Sequence, residues 1–319
     1  MLEKGFSEGM TEHCFEIGPE EAGDRVDECL ARRLPLLSKT KLRALVAQGA
    51  AFRSGRKLSI GQRLQPGDVL HFQWETDRIP PGLPEAMLLD VLWEDAWVLA
   101  VNKPAGVLVH PTRGVKRGTL TNGILAHLNP LLAADETVRD GGAPTLWPRF
   151  VHRLDRDTSG AILVAKDKPT ASALGKALAA GEITKTYLAI LCGELPRDRF
   201  EVREPILRFD EARPHWRTDP LGQPAQSVVE VLSRASSVSL CRLQPLTGRT
   251  NQLRIHSASI GAPILGDPLY GGGAAPRLML HAWKLEFRHP ASGGTIALVA
   301  AIPQEFRDAW AWRWPAGLE

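Results

Sequence analysis

Ten residues at 152–161, HRLDRDTSGA, place a histidine, two arginines and two aspartates directly before a Thr-Ser-Gly turn. The apolar run ILVA follows at once, which is typical of a buried strand. Asp155 therefore belongs to a loop that feeds a rigid strand, a common place for reactive groups. A carboxylate there must be hydrated or paired, because a buried unpaired charge is costly. Two interpretations fit this stretch equally: a reactive carboxylate, or a structural ion pair at the entrance to a strand.

A second polar cluster lies at 246–271, in the segment LTGRTNQLRIHSASIGAPILGDPLYG. Thr250 or Asn251 can cap the first turn of a helix there, and Gly261 can end that helix. Its cationic candidates are Arg249, Arg254 and His256. Such side chains are suited to facing a phosphate or a carboxylate, although the polar start of a surface helix has the same pattern.

Tyr187 is one of only two tyrosines in the chain. It stands near the start of an apolar run in ITKTYLAILCGEL, residues 183–195, and this pattern predicts a buried strand. A buried tyrosine needs a hydrogen-bond partner for its hydroxyl. Tyr187 is therefore either a satisfied core residue or an aromatic side chain that serves a site.

Charge is distributed unevenly near the N-terminus. Residues 1–24 carry seven acidic side chains and one lysine, whereas residues 25–63 carry ten lysines and arginines and two acids. The net charge of +3 is too small to establish a nucleic-acid partner. The compact basic segment suits a polyanion, although a solvated helix face has the same composition.

The elements that must position these residues fall into four segments. We expect a flexible acidic segment at 1–24, then two small helices and a basic hairpin at 25–74. The three prolines of 75–86 predict a linker. In the remaining residues, 87–319, predicted strands outnumber helices and do not alternate with them regularly. That pattern predicts an α+β domain with a mixed, mostly antiparallel sheet, and disfavours a parallel doubly wound sheet.

Composition excludes several classes of protein. The four cysteines are scattered and form no CxxC pair, so we expect neither a zinc site nor a disulfide framework. The first residues lack the apolar core of a signal peptide. The longest apolar run is the seven residues IALVAAI, far short of a membrane span. We therefore expect a soluble, cytoplasmic protein without a membrane partner.

Several segments closely resemble, in order, the motifs of the RluA-type pseudouridine synthases. They are WEDAWVLAVNKPAGVLVHP, VHRLDRDTSGAILVAKD, KTYLAILCGEL, LTGRTNQLRIHSASIGAPILGDPLYG and LMLHAWKLEF. The resemblance covers roughly residues 86–305. Residues 25–74 are similar to an S4 RNA-binding domain, which makes this a small S4-like α/β domain ahead of the catalytic one.

The resemblance implies an RNA uridine isomerase that needs no cofactor and no metal. Asp155 matches the catalytic aspartate, which attacks the ribose C1′ or the base C6, or helps to form a glycal intermediate. Tyr187 matches the tyrosine that stacks on the flipped base and assists proton removal. Arg254 matches the arginine that pairs with the aspartate and, we expect, keeps it ionised. Leu280 lies in the motif that lines the uracil pocket.

The remaining candidates are expected to contact RNA. Three of them would hold the substrate strand: Lys103, Arg153 and Arg249. The basic segment would bind RNA through Arg32, Arg33, Lys39, Lys41 and Arg43. One position departs from the family pattern, because Asn251 stands where the family usually has histidine.

Two alternatives compete with the isomerase. The first is a non-catalytic S4-domain RNA-binding or assembly factor, which would have no chemical need to keep Asp155, Tyr187 and Arg254 together. The second is a hydrolase that uses a pair of carboxylates, but no second acid stands out beside Asp155. For the isomerase we expect ribosomal RNA as the substrate before transfer RNA, because family members with an S4 domain commonly act on large-subunit ribosomal RNA. We expect a monomer.

Overall fold

The computed structural model packs into two compact units. The first combines Met1–Met87 with His110–Leu146, and the second combines Leu88–Val109 with Trp147–Glu319. The residues that the structure describes are 10–34, 39–75, 84–112, 114–130, 146–193, 195, 197–209, 215–310, 314, 315 and 318.

The described part of the first unit contains a four-stranded antiparallel sheet and three α-helices. Its strands are β1 (Met10–Glu16), β2 (Ala51–Arg53), β3 (Arg56–Lys57) and β4 (Val69–Glu75), in the order β1-β4-β2-β3. Its helices are α1 (Val26–Arg33), α2 (Lys39–Ala47) and α3 (Leu120–Leu128).

The first two helices pack as their apolar spacing predicts. On α1, Cys29 and Leu30 are fully buried, and Leu42 of α2 joins them in one core with strand residues. The hairpin β2–β3 turns at Ser54 and Gly55, whose φ angles are 49° and 75°. Two consecutive positive φ angles are typical of the tight turns that join antiparallel strands, so the Ser-Gly bend lies where the sequence predicts it.

The prediction of a flexible segment over 1–24 is wrong for its described part. All seven residues of β1 pair with β4, from Met10 opposite Glu75 to Glu16 opposite Val69. Ile17, immediately after the strand, is 1% exposed in the core of this unit. The acidic composition obscured an edge strand whose backbone completes the sheet. Residues 1–9, and most of the predicted linker, lie outside the described residues.

The segment His110–Leu146 groups with the first unit, although the sequence assigns it to the catalytic domain. The Glu85 backbone N–H donates to the carbonyl of Asn122, and its carboxylate accepts from the Gly118 N–H at 2.7 Å. A Cβ on Gly123 would lie 2.8 Å from the Met87 side chain. This close approach of α3 to residues 85–87 explains the grouping.

The second unit is built on a ten-stranded sheet. Its strands are β5 (Asp90–Glu94), β6 (Val98–Lys103), β7 (Arg149–Phe150), β8 (Ser159–Ala165), β9 (Thr184–Cys192), β10 (Arg199–Val202), β13 (Ser227–Ala235), β14 (Val238–Pro245), β15 (Leu280–Arg288) and β16 (Thr295–Val299); β11 (Ile206–Arg208) and β12 (Trp216–Thr218) form a separate ribbon. The helices are α4 (Lys168–Ala179), α5 (Gln252–Ser259) and α6 (Gln304–Ala309).

The main path through this sheet is β10-β13-β14-β9-β15-β8-β6-β5, with β7 paired to β8 and β16 paired to β15. Among the pairings of the described strands, β8 with β15 is parallel and the others are antiparallel. The predicted α+β class with a mixed, mostly antiparallel sheet is therefore confirmed.

Gly160 makes the parallel contact possible. It pairs with Ala282 of β15 and has a φ of 116°, which side chains rarely adopt. A Cβ at this position would lie 2.2 Å from the Ala282 carbonyl oxygen. The glycine of the Thr-Ser-Gly turn is therefore required where β8 and β15 meet, directly after the loop that carries Asp155.

Within the described parts of the chain, no helix has the length and apolar character needed to cross a membrane. The same residues contain no cluster of three or more histidine, cysteine or acidic side chains arranged to hold a metal ion. Cys14, Cys29, Cys192 and Cys241 are all free thiols.

Candidate active site

Asp155 lies on the loop between β7 and β8. Its neighbours Leu154 and Thr158 are buried at 6% and 2% exposure, so they anchor the loop on both sides of the carboxylate. The Asp155 side chain keeps 22% of its surface exposed and lines a cavity of about 500 Å³. This volume lies within the range of about 300–1,000 Å³ that is usual for ligand pockets.

The cavity gathers side chains from across the second unit. Strand β9 supplies Tyr187, β15 supplies Leu280, and the start of α5 supplies Asn251 and Arg254. The structure therefore brings together the three predicted catalytic residues, Asp155, Tyr187 and Arg254, with Leu280 beside them.

Arg254 holds two carboxylates at once. Its Nε and Nη2 donate to the two oxygens of Asp267, both at 2.7 Å, in a bidentate pair. Its Nη1 lies 3.8 Å from Asp155 Oδ2. Arg254 is 7% exposed and Asp267 is fully buried, so the planar guanidinium is fixed by Asp267 and presents its remaining nitrogen to Asp155.

Arg254, which was expected to keep Asp155 ionised, is one of several influences on the pKa of this carboxyl. Burial raises the pKa of Asp155, while the positive charges of Arg254, Arg153 and Lys103 act in the opposite direction. The net direction of the pKa is upward, because the effect of burial outweighs that of the three cations, and the negative charge of Asp267 adds to it.

The Tyr187 hydroxyl stays protonated. Burial raises its pKa above the usual value, and the negative charge of Asp155 acts in the same direction. The residue is 7% exposed and lines the cavity together with Asp155. Its ring is thus available as an apolar surface inside the pocket.

Asn251 begins α5 but does not cap it with its side chain. Its backbone is in the left-handed region, with φ 54° and ψ 19°, whereas capping residues are normally extended. The side chain is directed instead toward Asp155 and Tyr270, the second tyrosine of the chain. The helix is present where the sequence predicts it, but the role of the asparagine is different.

Lys103 is not placed to contact a substrate, which corrects the prediction for this residue. It is fully buried, and its Nζ donates to the carbonyls of Pro104, Val107 and Arg156 at 2.8–2.9 Å. Burial lowers the pKa of Lys103 to about 7. The three acceptors match the three N–H donors of an ammonium group, so Lys103 ties the loop after Asp155 to the turn that follows β6.

The two other predicted substrate contacts do line the cavity. Arg153 is exposed, next to Asp155. Arg249 is half-buried, and its Nε donates to the Pro224 carbonyl at 3.0 Å. Lys185, which the sequence interpretation did not single out, adds a further cation to the lining.

The cations of the predicted RNA-binding segment are largely engaged in ion pairs within the first unit. Arg33 donates two bonds to Glu21, and Arg43 donates to Asp27 at 2.7 Å. The other pairs are Arg32 with Asp24 and Lys39 with Glu28. The Lys41 side chain lies outside the described residues. The cluster is therefore much less positive than its sequence suggests.

Besides Lys185, the sequence interpretation missed two residues of the site. Asp267 and Tyr270 belong to the segment GDPLYG, which was noted only as part of a longer motif. The available signals were an acid placed between a glycine and a proline, and the scarcity of tyrosine. Neither signal identifies Arg254 as the partner, because the pairing depends on a loop that folds back 13 residues along the chain.

Residues 97–259 match the RNA pseudouridylate synthase family. A Bacillus subtilis protein, described as an uncharacterized RNA pseudouridine synthase, is 33% identical over 296 residues, which cover 91% of this chain and 94% of that protein. The ribosomal large subunit pseudouridine synthase D of Pasteurella multocida is 32% identical over 308 residues, which cover 91% of each chain. A protein of the same name from Neisseria meningitidis serogroup A is 34% identical and covers 90% of this chain and 78% of its own length.

Solved structures agree with the sequence relatives. Human RNA pseudouridylate synthase domain containing 1 is 28% identical with a TM-score of 0.53, over 68% of this chain and 84% of that chain. Human RNA pseudouridylate synthase domain containing 4 is 26% identical with a TM-score of 0.54, over 69% of this chain and 91% of that chain. The chain belongs to the RNA pseudouridine synthases, the isomerases that convert uridine in RNA to pseudouridine.

Proposed function

We propose that Asp155 is the catalytic carboxylate and that the reacting uridine enters the cavity it lines. One observation carries this assignment: a partly exposed carboxylate shares a pocket of nucleoside-binding size with a buried guanidinium and a buried phenol. Arg254, held by Asp267, keeps the carboxylate oriented without consuming it in a short ion pair.

The reaction balances within one nucleotide. The bond between N1 of uracil and C1′ of ribose breaks, the base turns, and a bond forms between C5 and C1′. The proton on C5 leaves and N1 gains one, so the enzyme supplies no atoms. Asp155 acts at C1′, at C6 or through a glycal, and all three routes need an ionised carboxylate or a base at this position.

Tyr187 serves as the surface on which the uracil stacks. A base inside structured RNA must first be extruded, which costs a few kcal/mol, and stacking on an aromatic ring offsets part of that cost. Because burial raises the pKa of the Tyr187 hydroxyl, the phenol is poorly suited to removing the C5 proton unaided. Leu280 would supply apolar contact from the β15 side of the pocket.

Large-subunit ribosomal RNA is the proposed substrate, ahead of transfer RNA. Relatives at 30–34% identity, over 89–91% of this chain, are named ribosomal large subunit pseudouridine synthase D. Arg153, Arg249 and Lys185 would contact phosphates beside the extruded base. Such a substrate implies work in the cytoplasm, and a monomer suffices because these candidate site residues all belong to one unit.

Residues 25–74 are proposed to act as an S4-like RNA-binding domain. Its exposed cations include Arg56 and Lys57 on the short hairpin strand β3, in addition to the ion-paired residues of α1 and α2. Phosphate contacts from this domain would position the RNA without reading its sequence.

The test is conversion of uridine in an unmodified large-subunit ribosomal RNA transcript, with a transfer RNA pool in parallel. Asp155→Asn keeps the shape of the side chain and removes its charge. We expect at least a ~10³-fold loss of product, with RNA affinity and thermal midpoint close to wild type. Undiminished product from this variant would refute the assignment. Product only in transfer RNA would refute the ribosomal substrate.

The non-catalytic RNA-binding factor makes the opposite prediction for the same experiment. Its RNA affinity would persist while neither wild type nor Asp155→Asn forms pseudouridine. Mapping pseudouridines in total RNA from cells with and without the gene separates the two functions whichever RNA carries the target uridine.

A further inference from the structure

The Asn251 amide lies among three groups of the pocket, which are the Asp155 carboxylate, the Tyr270 hydroxyl and Arg254 Nη1, the last at 3.4 Å from the terminal atom that faces Asp155. One terminal atom of the amide is 2.9 Å from Asp155 Oδ2 and 3.3 Å from Oδ1, and the other is 3.3 Å from the Tyr270 hydroxyl. The left-handed backbone at Asn251 aims the side chain into the site and away from the first turn of α5. Asparagine tolerates this conformation better than most residues.

The chemistry of Asp155 decides which end of the amide faces it. An ionised carboxylate only accepts hydrogen bonds, so the amide nitrogen must face it and donate. The amide oxygen then accepts from the Tyr270 hydroxyl. That hydroxyl also lies 3.1 Å from the Trp216 carbonyl, and it has one proton to give.

Protonation of Asp155 reverses each of these bonds. The acid O–H then donates to the amide oxygen, the amide nitrogen donates to the Tyr270 oxygen at 3.3 Å, and the tyrosine donates to Trp216. Each state gives the acid and both ends of the amide a partner, and in the protonated state the amide oxygen also accepts from Arg254 Nη1 at 3.4 Å. The two orientations of one amide thus correspond to the two charge states of the carboxylate.

We propose that Asn251 is a positioning residue that holds Asp155 ionised and aimed at the substrate, with the Tyr270 hydroxyl donating to the amide oxygen in that orientation. The inference rests on the proposed catalytic role of Asp155. It assigns a function to the position where this chain departs from the usual histidine of its family.

Distances favour Asn251 over the nearby cations as the direct partner of Asp155. The amide contact is 2.9 Å, whereas Arg254 Nη1 lies 3.8 Å from Asp155 and 3.4 Å from the Asn251 amide, and the Nε and Nη2 of Arg254 donate to Asp267. The charged and titratable groups around the carboxylate are Arg254, Arg153, Lys103, Asp267, Tyr187 and Tyr270. A hydrogen bond donated to the charged form stabilises it against the burial that raises its pKa.

The experiment measures the pH profile of single-turnover pseudouridine formation in the large-subunit ribosomal RNA transcript. Asn251→Asp keeps size and backbone tolerance but faces Asp155 with a second acid. We expect its acidic limb to move to higher pH and its rate at neutral pH to fall about 100-fold or more, because two adjacent carboxylates resist joint ionisation. Asn251→Gly keeps the left-handed backbone and removes the hydrogen-bond donor. Its rate at neutral pH should fall about tenfold, and its acidic limb should also move to higher pH, by less than in Asn251→Asp.

Asn251→His keeps an N–H donor at this position, so its pH profile should lie closer to that of wild type than the profiles of Asn251→Asp and Asn251→Gly. Tyr270→Phe should shift the acidic limb the same way as Asn251→Gly, to a lesser extent. It provides the test if the Asn251 variants fail to reach the wild-type thermal midpoint. RNA affinity should be unchanged in all of the variants, since the amide acts through Asp155.

Wild type and Asp155→Asn are run beside these variants, so that the two hypotheses fail differently. Product from Asp155→Asn overturns the proposed function. An inactive Asp155→Asn together with wild-type pH profiles in Asn251→Asp and Asn251→Gly overturns the role of Asn251 alone.

Discussion

Two arginine–carboxylate pairs in different units have nearly the same geometry and different surroundings. Arg33 donates to both oxygens of Glu21 at 2.9 and 2.6 Å, and Arg254 donates to both oxygens of Asp267 at 2.7 Å. Arg33 remains 38% exposed, whereas Arg254 is 7% exposed.

The buried pair also has a third participant. Arg254 reaches a second carboxylate, Asp155, with the nitrogen that its pair with Asp267 leaves over. At the other pair, the Arg33 hydrogen bond lowers the pKa of Glu21 to about 2, which indicates a well-satisfied ionised acid. One pair therefore braces a surface helix, while the other is a fixed support for Asp155, the proposed catalytic acid.

The largest expected effect comes from breaking each pair in the same way. Asp267→Asn leaves the buried guanidinium without its bidentate partner and with only the 3.8 Å contact to Asp155, so it should lower the free energy of unfolding by about 3–5 kcal/mol, with loss of activity. Glu21→Gln leaves a half-exposed guanidinium that water can solvate. We therefore expect the free energy of unfolding to fall by only about 1 kcal/mol and the turnover rate to stay normal. Thermal unfolding measures the stability of the two variants, and pseudouridine assays at neutral pH measure their activity. Equal losses of stability would contradict the distinction between the two arginine–carboxylate pairs.

Lys103 supports the loop that carries Asp155 in a different way, and we expect its replacement to have an effect of intermediate size. Lys103→Met keeps the volume and removes three hydrogen bonds to backbone carbonyls, so we expect about 2 kcal/mol of destabilisation. The turnover rate should fall because the loop carrying Asp155 loses its tie, while RNA affinity stays the same. Weaker RNA binding with a shallower salt dependence would instead indicate that the lysine contacts phosphate.

The smallest expected effect concerns the basic segment. Replacing Arg32 and Lys39 by glutamine removes cations that are already paired with Asp24 and Glu28. Replacing Arg56 and Lys57 by glutamine removes two exposed cations from the β3 strand of the hairpin. The salt slope of RNA binding should fall by roughly 0.7–0.9 for every phosphate that a variant no longer neutralises. We expect the double variant of Arg56 and Lys57 to show the larger reduction in salt slope. A larger reduction in the double variant of Arg32 and Lys39 would instead indicate that α1 and α2 form the main RNA-binding surface.

Local motifs predicted the elements and residues whose signals are contiguous in sequence. The turn before β8, the helix after Asn251 and the Ser-Gly hairpin all lie where their residue types place them. The α+β class followed from the number and spacing of the apolar runs.

Predictions failed where long-range packing decides the outcome. Lys103 precedes a proline and a glycine-containing turn, and its sequence does not show that three carbonyls surround it. The strand β1 is acidic, so only its pairing with β4 identifies it. The excess of arginines in α1 and α2 suggested an RNA surface, because their carboxylate partners are separated from them in sequence.

The position of β15 has a consequence for the newly made protein. This strand follows β8 and β9 by about 90 residues or more in sequence, yet it lies between them in the sheet, and Gly160 allows it to pack beside the Asp155 loop. A ribosome that has released β8 and β9 has made the acid and the phenol, but the strand that joins their halves of the sheet is still to come. The pocket therefore forms only after residues 280–288 have been synthesised and have paired with both strands.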